Sequence, residues 1–160
     1  MILLSPYMPF SIAFVRALPH GLCAGIHLPD SPDPVPEEIL QRLLPEERAF
    51  ARGLRGFRQP QFVGGRLAMG LLFHELGVRR VPVLSLASGA PEIPPGLVGS
   101  ISHKQDLVVA VLARGYGGVG VDLEETDRER PGVAARVLRE EELEAVSELL
   151  PDRRWCDAMI

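Results

Sequence analysis

The sequence predicts an α+β domain, and three observations predict it. Residues 61–76 carry apolar side chains at helical spacing. Four β-branched, strand-like runs are gathered between residues 81 and 124. Helical patterns flank those runs on both sides, which suits helices packed against one face of a sheet. The chain has 160 residues, enough for one ordinary domain or two small lobes. An apolar fraction of 46 % excludes a disordered chain, and 16 glycines with 15 prolines point to many turns. The net charge of −4 gives no bulk attraction to nucleic acid or anionic lipid. Cys23 and Cys156 have neither CxxC nor zinc spacing, so free thiols in a reduced compartment are expected, and with them a cytoplasmic location.

Residues 1–15 are apolar, but Pro6 and Pro9 interrupt them and no basic start precedes them. Neither a signal peptide nor a membrane span is predicted. Residues 24–28 alternate loosely and suit a strand. Pro29, Pro32, Pro34 and Pro36 then make a stiff, extended connector. Pro36 opens a helix with Glu37 and Glu38 in its first turn, where the helix dipole favours acids. Pro45-Glu46-Glu47 restarts a second helix in the same way. In the helix over 61–76, Phe62, Met69, Phe73 and Leu76 form the apolar face and Gly77 stops it. Gly64, Gly65 and Gly70 lie inside it at a cost of about 1 kcal/mol each, which asks for close backbone approach as the reason.

The predicted strands are 81–86, 98–102, 107–113 and 119–124, with Gly115-Tyr116-Gly117-Gly118 as a hairpin connection between the last two. After Thr126 the pattern turns helical, with Val133, Val137, Leu143, Val146 and Leu150 on one face. Trp155 to Ile160 is apolar and ends without a cap or a polar tail, so the sequence reads as cut short.

The sharpest chemical feature is Val119-Gly120-Val121-Asp122-Leu123-Glu124. On a strand, Asp122 and Glu124 share one face, with Cα atoms about 6.6 to 7 Å apart. Two carboxylates drawn to about 5 Å repel by roughly 3 kcal/mol at an effective dielectric of about 20, and a divalent cation between them reverses that. An oxygen-only ligand set favours Mg²⁺ or Mn²⁺ over zinc. A solvated acidic face is the alternative. Ser102-His103-Lys104 closes a strand with two hydrogen-bond donors and a cation, which suits a phosphate, although such a corner is equally surface decoration. Arg66 follows two glycines, which would let an anion approach its helix; a plain surface arginine is the alternative. Arg52, Arg55 and Arg58 form a basic run in an acidic chain. His20, His27 and His74 have no ligand spacing.

Order and spacing add what the separate motifs lack. Gly65-Arg66-Leu67-Ala68, Gly89-Ala90-Pro91, Gly99-Ser100-Ile101-Ser102-His103-Lys104 and Gly120-Val121-Asp122-Leu123-Glu124 form a series. It resembles the 4′-phosphopantetheinyl transferases, of the surfactin-synthetase and enterobactin-synthase type, from about Leu44 to the carboxyl end. The resemblance implies a pseudo-dimer of two α+β halves, with residues 1–116 as the first and 117–160 as the start of the second. It implies Mg²⁺-dependent transfer of phosphopantetheine from coenzyme A to a serine of an acyl-, peptidyl- or aryl-carrier protein, with 3′,5′-ADP released. Carriers of fatty-acid, polyketide, nonribosomal peptide or siderophore synthesis all qualify. Asp122 and Glu124 match the family's Mg²⁺ site and its catalytic carboxylates. Ser102 and His103 match the pair at the 3′-phosphate of coenzyme A, with Lys104 beside them. Arg66 matches a position near the nucleotide, and Gly89, Ala90 and Pro91 the loop bordering the adenine. The family's later Lys-Glu helix has no counterpart in these residues. Two readings follow: a transferase, expected to be a monomer, or a non-catalytic remnant that binds coenzyme A and carrier.

Overall fold

Gly64 and Gly65 sit where α3 (Arg58–Glu75) lies directly on a sheet, Gly70 sits against a side chain, and close approach is what all three permit. A Cβ at Gly64 would stand 2.3 Å from Leu28 Cδ2 and 3.0 Å from Val108 Cγ1, and one at Gly65 would stand 3.1 Å from Ile101 Cγ2. At Gly70 it would meet the Arg80 guanidinium at 2.9 Å. The structure, a computed structural model, describes residues 9–115, 117–124 and 139–141. The chain divides into two compact units, Met1–Leu123 and Glu124–Ile160, and the sheet and helices belong to the first. The helical pattern expected after Thr126, with Val133, Val137, Leu143, Val146 and Leu150, lies outside the described residues.

The sheet has four antiparallel strands in the order β1-β2-β4-β3, formed by β1 (Ser11–Leu18), β2 (Gly21–His27), β3 (Leu97–Lys104) and β4 (Leu107–Arg114). Alternation assigns its faces. Ala24, Ile26, Val108, Ala110 and Leu112 point to α3 and join Val63, Leu67, Met69, Leu72 and Phe73 in the core. Cys23, Val109 and Val111 are buried on the opposite face, and burial raises the Cys23 thiol pKa. Two short helices, α1 (Glu37–Leu40) and α2 (Pro45–Gly53), precede α3, and Pro45 is the first residue of α2. Buried Gln59 ties the proline-rich connector to them. It accepts from the Val35 N–H at 2.8 Å and donates to the Ala51 carbonyl at 2.9 Å.

Gly77 ends α3 as predicted, and by an identifiable cap. Its φ is +63°, its N–H donates to His74 O at 2.9 Å, and the Val78 N–H donates to Phe73 O at 3.0 Å. This is the Schellman pattern, which satisfies the last carbonyls only if the residue after the cap is left-handed. Gly77→Ala is therefore expected to destabilise the protein by about 1 to 2 kcal/mol, read as a lower urea midpoint at unchanged slope. An unchanged midpoint would show that the cap tolerates a side chain.

Two expected strands join no ladder among the described residues. The run 81–86 carries an isolated bridge, from Ser85 to Pro91. The run 119–124 joins no ladder there, although burial alternates along it as a strand's would, with Asp122 and Glu124 exposed. The turn between β3 and β4 lies at Gln105-Asp106; the hairpin expected at 115–118 includes Tyr116, which lies outside the described residues. The strand β1 within the apolar amino-terminal region was not expected. Its Phe14 ring lies over Gly25, which leaves no room there for a side chain. Among the described residues, no helix is long and apolar enough to cross a membrane.

Candidate functional site

Arg66 is 5 % exposed, an unusual state for an arginine, and its surroundings explain it. The Nε–H donates to Val83 O at 2.7 Å and Nη2 donates to Ser85 Oγ at 3.3 Å. Cζ stands 3.9 Å from the centroid of the Phe62 ring, within cation–π range. The Phe50 ring stacks behind, its centroid 4.8 Å from that of Phe62. Burial lowers the guanidinium pKa to about 10, against an opposing pull from the nearby Glu47 carboxylate, so Arg66 is a cation at neutral pH. A guanidinium has five N–H donors. Among the described residues the fold engages it through Nε and Nη2.

These groups border a pocket of about 330 Å³. α3 contributes Arg58, Gln61, Phe62 and Arg66, and β3 contributes Ile101 and His103. Ser85, Gly89 and Pro91 form the third wall. That wall is a tight loop: the Leu86 N–H donates to Ala90 O at 2.8 Å, the Gly89 N–H donates to Leu86 O at 2.9 Å, and Gly89 takes φ +87°. Gly89 and Pro91 thus meet the pocket, while Ala90 shapes the loop and does not line it. A larger cavity of about 510 Å³ lies over the opposite sheet face, among Cys23, Val98, Val111, Ala113 and the glycines of 115–120. It has few convergent polar groups, and none of the predicted site residues lines it, so the chemistry favours the smaller one.

Strand alternation separates Ser102 from His103. His103 is paired with Val108 and faces α3 and the pocket; Ser102 is paired with Val109 on the other face. There the Ser102 hydroxyl donates to Asp122 Oδ1 at 2.9 Å and accepts from the Leu123 N–H at 3.1 Å. Lys104 ends β3, half-buried, and does not line the pocket. Asp122 is an exposed carboxylate with one oxygen held by Ser102, and Glu124 is the first residue of the second unit.

Sequence reasoning assigned no place in a site to Phe50, Phe62 or Arg58, all of which line the pocket, and gave Phe62 only to the helix's apolar face. The basic run contained the signal for Arg58 but did not separate its members. Arg52 pairs with Glu37, holding that carboxyl below its ordinary pKa, and Arg55 donates to the Arg52 and Leu54 carbonyls at 2.8 Å. Only Arg58 reaches the pocket.

The family model of the 4′-phosphopantetheinyl transferase N-terminal domain matches residues 46–113. That span runs from the start of α2 almost to the end of β4 and includes every residue of the pocket. Residues 46–113 belong to the 4′-phosphopantetheinyl transferase superfamily, as its N-terminal domain. The chain is 31 % identical over 125 residues to the 4′-phosphopantetheinyl transferase Svp of Streptomyces mobaraensis, an alignment covering 75 % of this chain and 51 % of that protein. The chain thus spans about half the length of the curated relative it matches. The Mg²⁺ that a 4′-phosphopantetheinyl transferase implies asks for hard oxygen donors. Asp122 fits as one such donor, because its second carboxylate oxygen is not engaged by Ser102. Among the described residues no cluster of three His, Cys, Asp or Glu side chains forms a complete cage.

Proposed function

We propose that this protein serves the transfer of 4′-phosphopantetheine from coenzyme A to a serine of an acyl-, peptidyl- or aryl-carrier protein, with 3′,5′-ADP as the second product. One observation supports this above the others: a buried, charged arginine borders a pocket that also presents Arg58 and His103. The nucleotide end of coenzyme A has that complementary chemistry, phosphates beside a flat apolar base. Arg66, Arg58 and His103 would bind the phosphates, and Lys104 would add charge at the rim. The loop Gly89-Ala90-Pro91 with Phe50 and Phe62 would border the adenine. In this reading residues 1–116 carry the nucleotide site and residues 117–160 begin a second half.

In the reaction the serine oxygen forms a bond to the phosphorus that bears pantetheine. The phosphoanhydride bond breaks, 3′,5′-ADP leaves with the electron pair, and the serine proton is released. Asp122 and Glu124 would hold Mg²⁺, which when bound neutralises charge on the pyrophosphate. Ser102 orients the Asp122 carboxylate by its hydrogen bond, a role separate from that of His103. The setting is the cytoplasm, and the working unit is a monomer.

Calorimetry with 3′,5′-ADP and with coenzyme A tests the pocket, and intact-mass analysis of a carrier panel tests the transfer. Both ligands should bind competitively, and carriers should gain the mass of phosphopantetheine only when Mg²⁺ is present. Failure of both ligands to bind would remove the reading altogether. Binding without any mass gain would leave the non-catalytic alternative.

A further inference from the structure

Glu47 is the most deeply buried acid among the described residues, 1 % exposed, and lies outside the pocket. A carboxylate is seldom enclosed unless every lone pair has a use. As the third residue of α2 it accepts the Leu44 N–H at 3.1 Å, an ordinary way to finish a helix start. That role needs only one oxygen and no burial. The same Oε2 also takes Arg80 Nη2 at 2.9 Å, and Oε1 accepts the Val83 N–H at 3.0 Å.

Val83 is the residue whose carbonyl receives the Arg66 Nε–H. One residue, Val83, therefore has the carboxylate on its N–H and the guanidinium on its C=O. This segment, expected to be a strand, joins no ladder among the described residues; its Leu84 carbonyl and Leu86 N–H bond to Glu92 and Ala90 of its own loop, which does not fix Val83. Arg80 secures its near end. That side chain also donates to Arg42 O at 3.2 Å, and it rests against α3 at Gly70, where any larger residue would displace it. Ser85, the second acceptor for Arg66, lies two residues beyond Val83.

We propose that Glu47 is a positioning residue for the pocket: through Val83 it fixes the acceptors that aim Arg66 at an anionic ligand. The ligand part of this rests on the nucleotide reading above; the link from Glu47 to Arg66 does not. The nearby negative charge of Glu47 also favours the charged form of Arg66, in the same direction as the hydrogen bonds.

The test uses Glu47→Gln in the full chain. Glutamine keeps the shape but has a single acceptor oxygen, where the carboxylate serves three donors with two. Proton exchange at the Arg66 side-chain Nε–H, followed by NMR, should speed up tenfold or more with no ligand present. Affinity for 3′,5′-ADP should fall about tenfold, and by less than twofold when the same change is made on an Arg66→Ala background. Unchanged Nε–H exchange in a folded variant would overturn the link, as would equal losses of affinity in both backgrounds. If Nε–H exchange responds but no form of the protein binds 3′,5′-ADP, the link stands and the nucleotide reading falls. Should the variant fail to fold, exchange in the unaltered protein decides. The Val83 amide and the Arg66 Nε–H should then open together, with the same dependence on denaturant, and independent openings would overturn the proposal.

Discussion

Arg66→Ala is expected to weaken binding of 3′,5′-ADP by about ten- to a hundredfold. Hydrogen bonds to charged groups contribute roughly 1.5 to 3 kcal/mol, and each 1.4 kcal/mol is about a factor of ten in affinity. The pocket amplifies the effect because Arg66 is almost wholly removed from water, at 5 % exposure, so its field is poorly screened. Arg66→Lys should recover only a minor part. An ammonium is a point charge and cannot hold the Val83 carbonyl and the Ser85 hydroxyl while presenting a planar fork to a phosphate. Calorimetric titration of both variants, with thermal unfolding to confirm that each is folded, measures this. An affinity within twofold of the original would place the anion elsewhere.

Gly64→Leu should be the most destabilising change on α3, by about 3 kcal/mol. At this position the Cβ alone would lie 2.3 Å from Leu28 Cδ2 and 3.0 Å from Val108 Cγ1. Leu28 can swing aside for a methyl group, but a leucine must separate the helix from the sheet, and overpacking of this kind costs about 1 to 3 kcal/mol or more. Gly53→Ala is the control. No atom lies within 4 Å of its added Cβ, and it ends α2, so a gain of up to about 1 kcal/mol is expected from reduced freedom of the unfolded chain. Urea midpoints of the two variants should move in opposite directions. If Gly64→Leu leaves the midpoint in place, helix and sheet are not in backbone contact there.

Legibility along the chain followed the range of the interactions involved. The long helix, the strands β3 and β4 and the stop at Gly77 were readable because local periodicity and backbone preference settle them. The run 81–86 has the β-branched alternation of a strand, yet its Val83 N–H goes to Glu47 and its Val83 carbonyl to Arg66. A pattern of side chains shows that a segment prefers to be extended; it does not show where a hydrogen-bond partner will come from. The reading of 119–124 failed and succeeded for the same reason. Its alternation of exposure was foreseen, while the lack of a ladder there among the described residues was not. Gln105, at φ +45°, makes the turn between β3 and β4 with a residue whose type gives little sign of it.

By itself the sequence singled out the side chains proposed to bring chemistry and determined which neighbours must diverge. Arg66, His103, Ser102 and Asp122 could be picked out by type and order, and strand alternation alone requires that positions 102 and 103 face apart. Tertiary structure decided which of them meet. It joined Arg66 to His103 across α3 and β3, gave Ser102 to Asp122 on the far side of the sheet, and selected Arg58 from three similar arginines. It also turned Glu47 from a helix-start acid into a buried anchor 36 positions away from Val83 in sequence. The physical reason is that periodicity and capping act over a few residues, whereas burial of charge and sharing of hydrogen-bond acceptors depend on segments brought together only by packing.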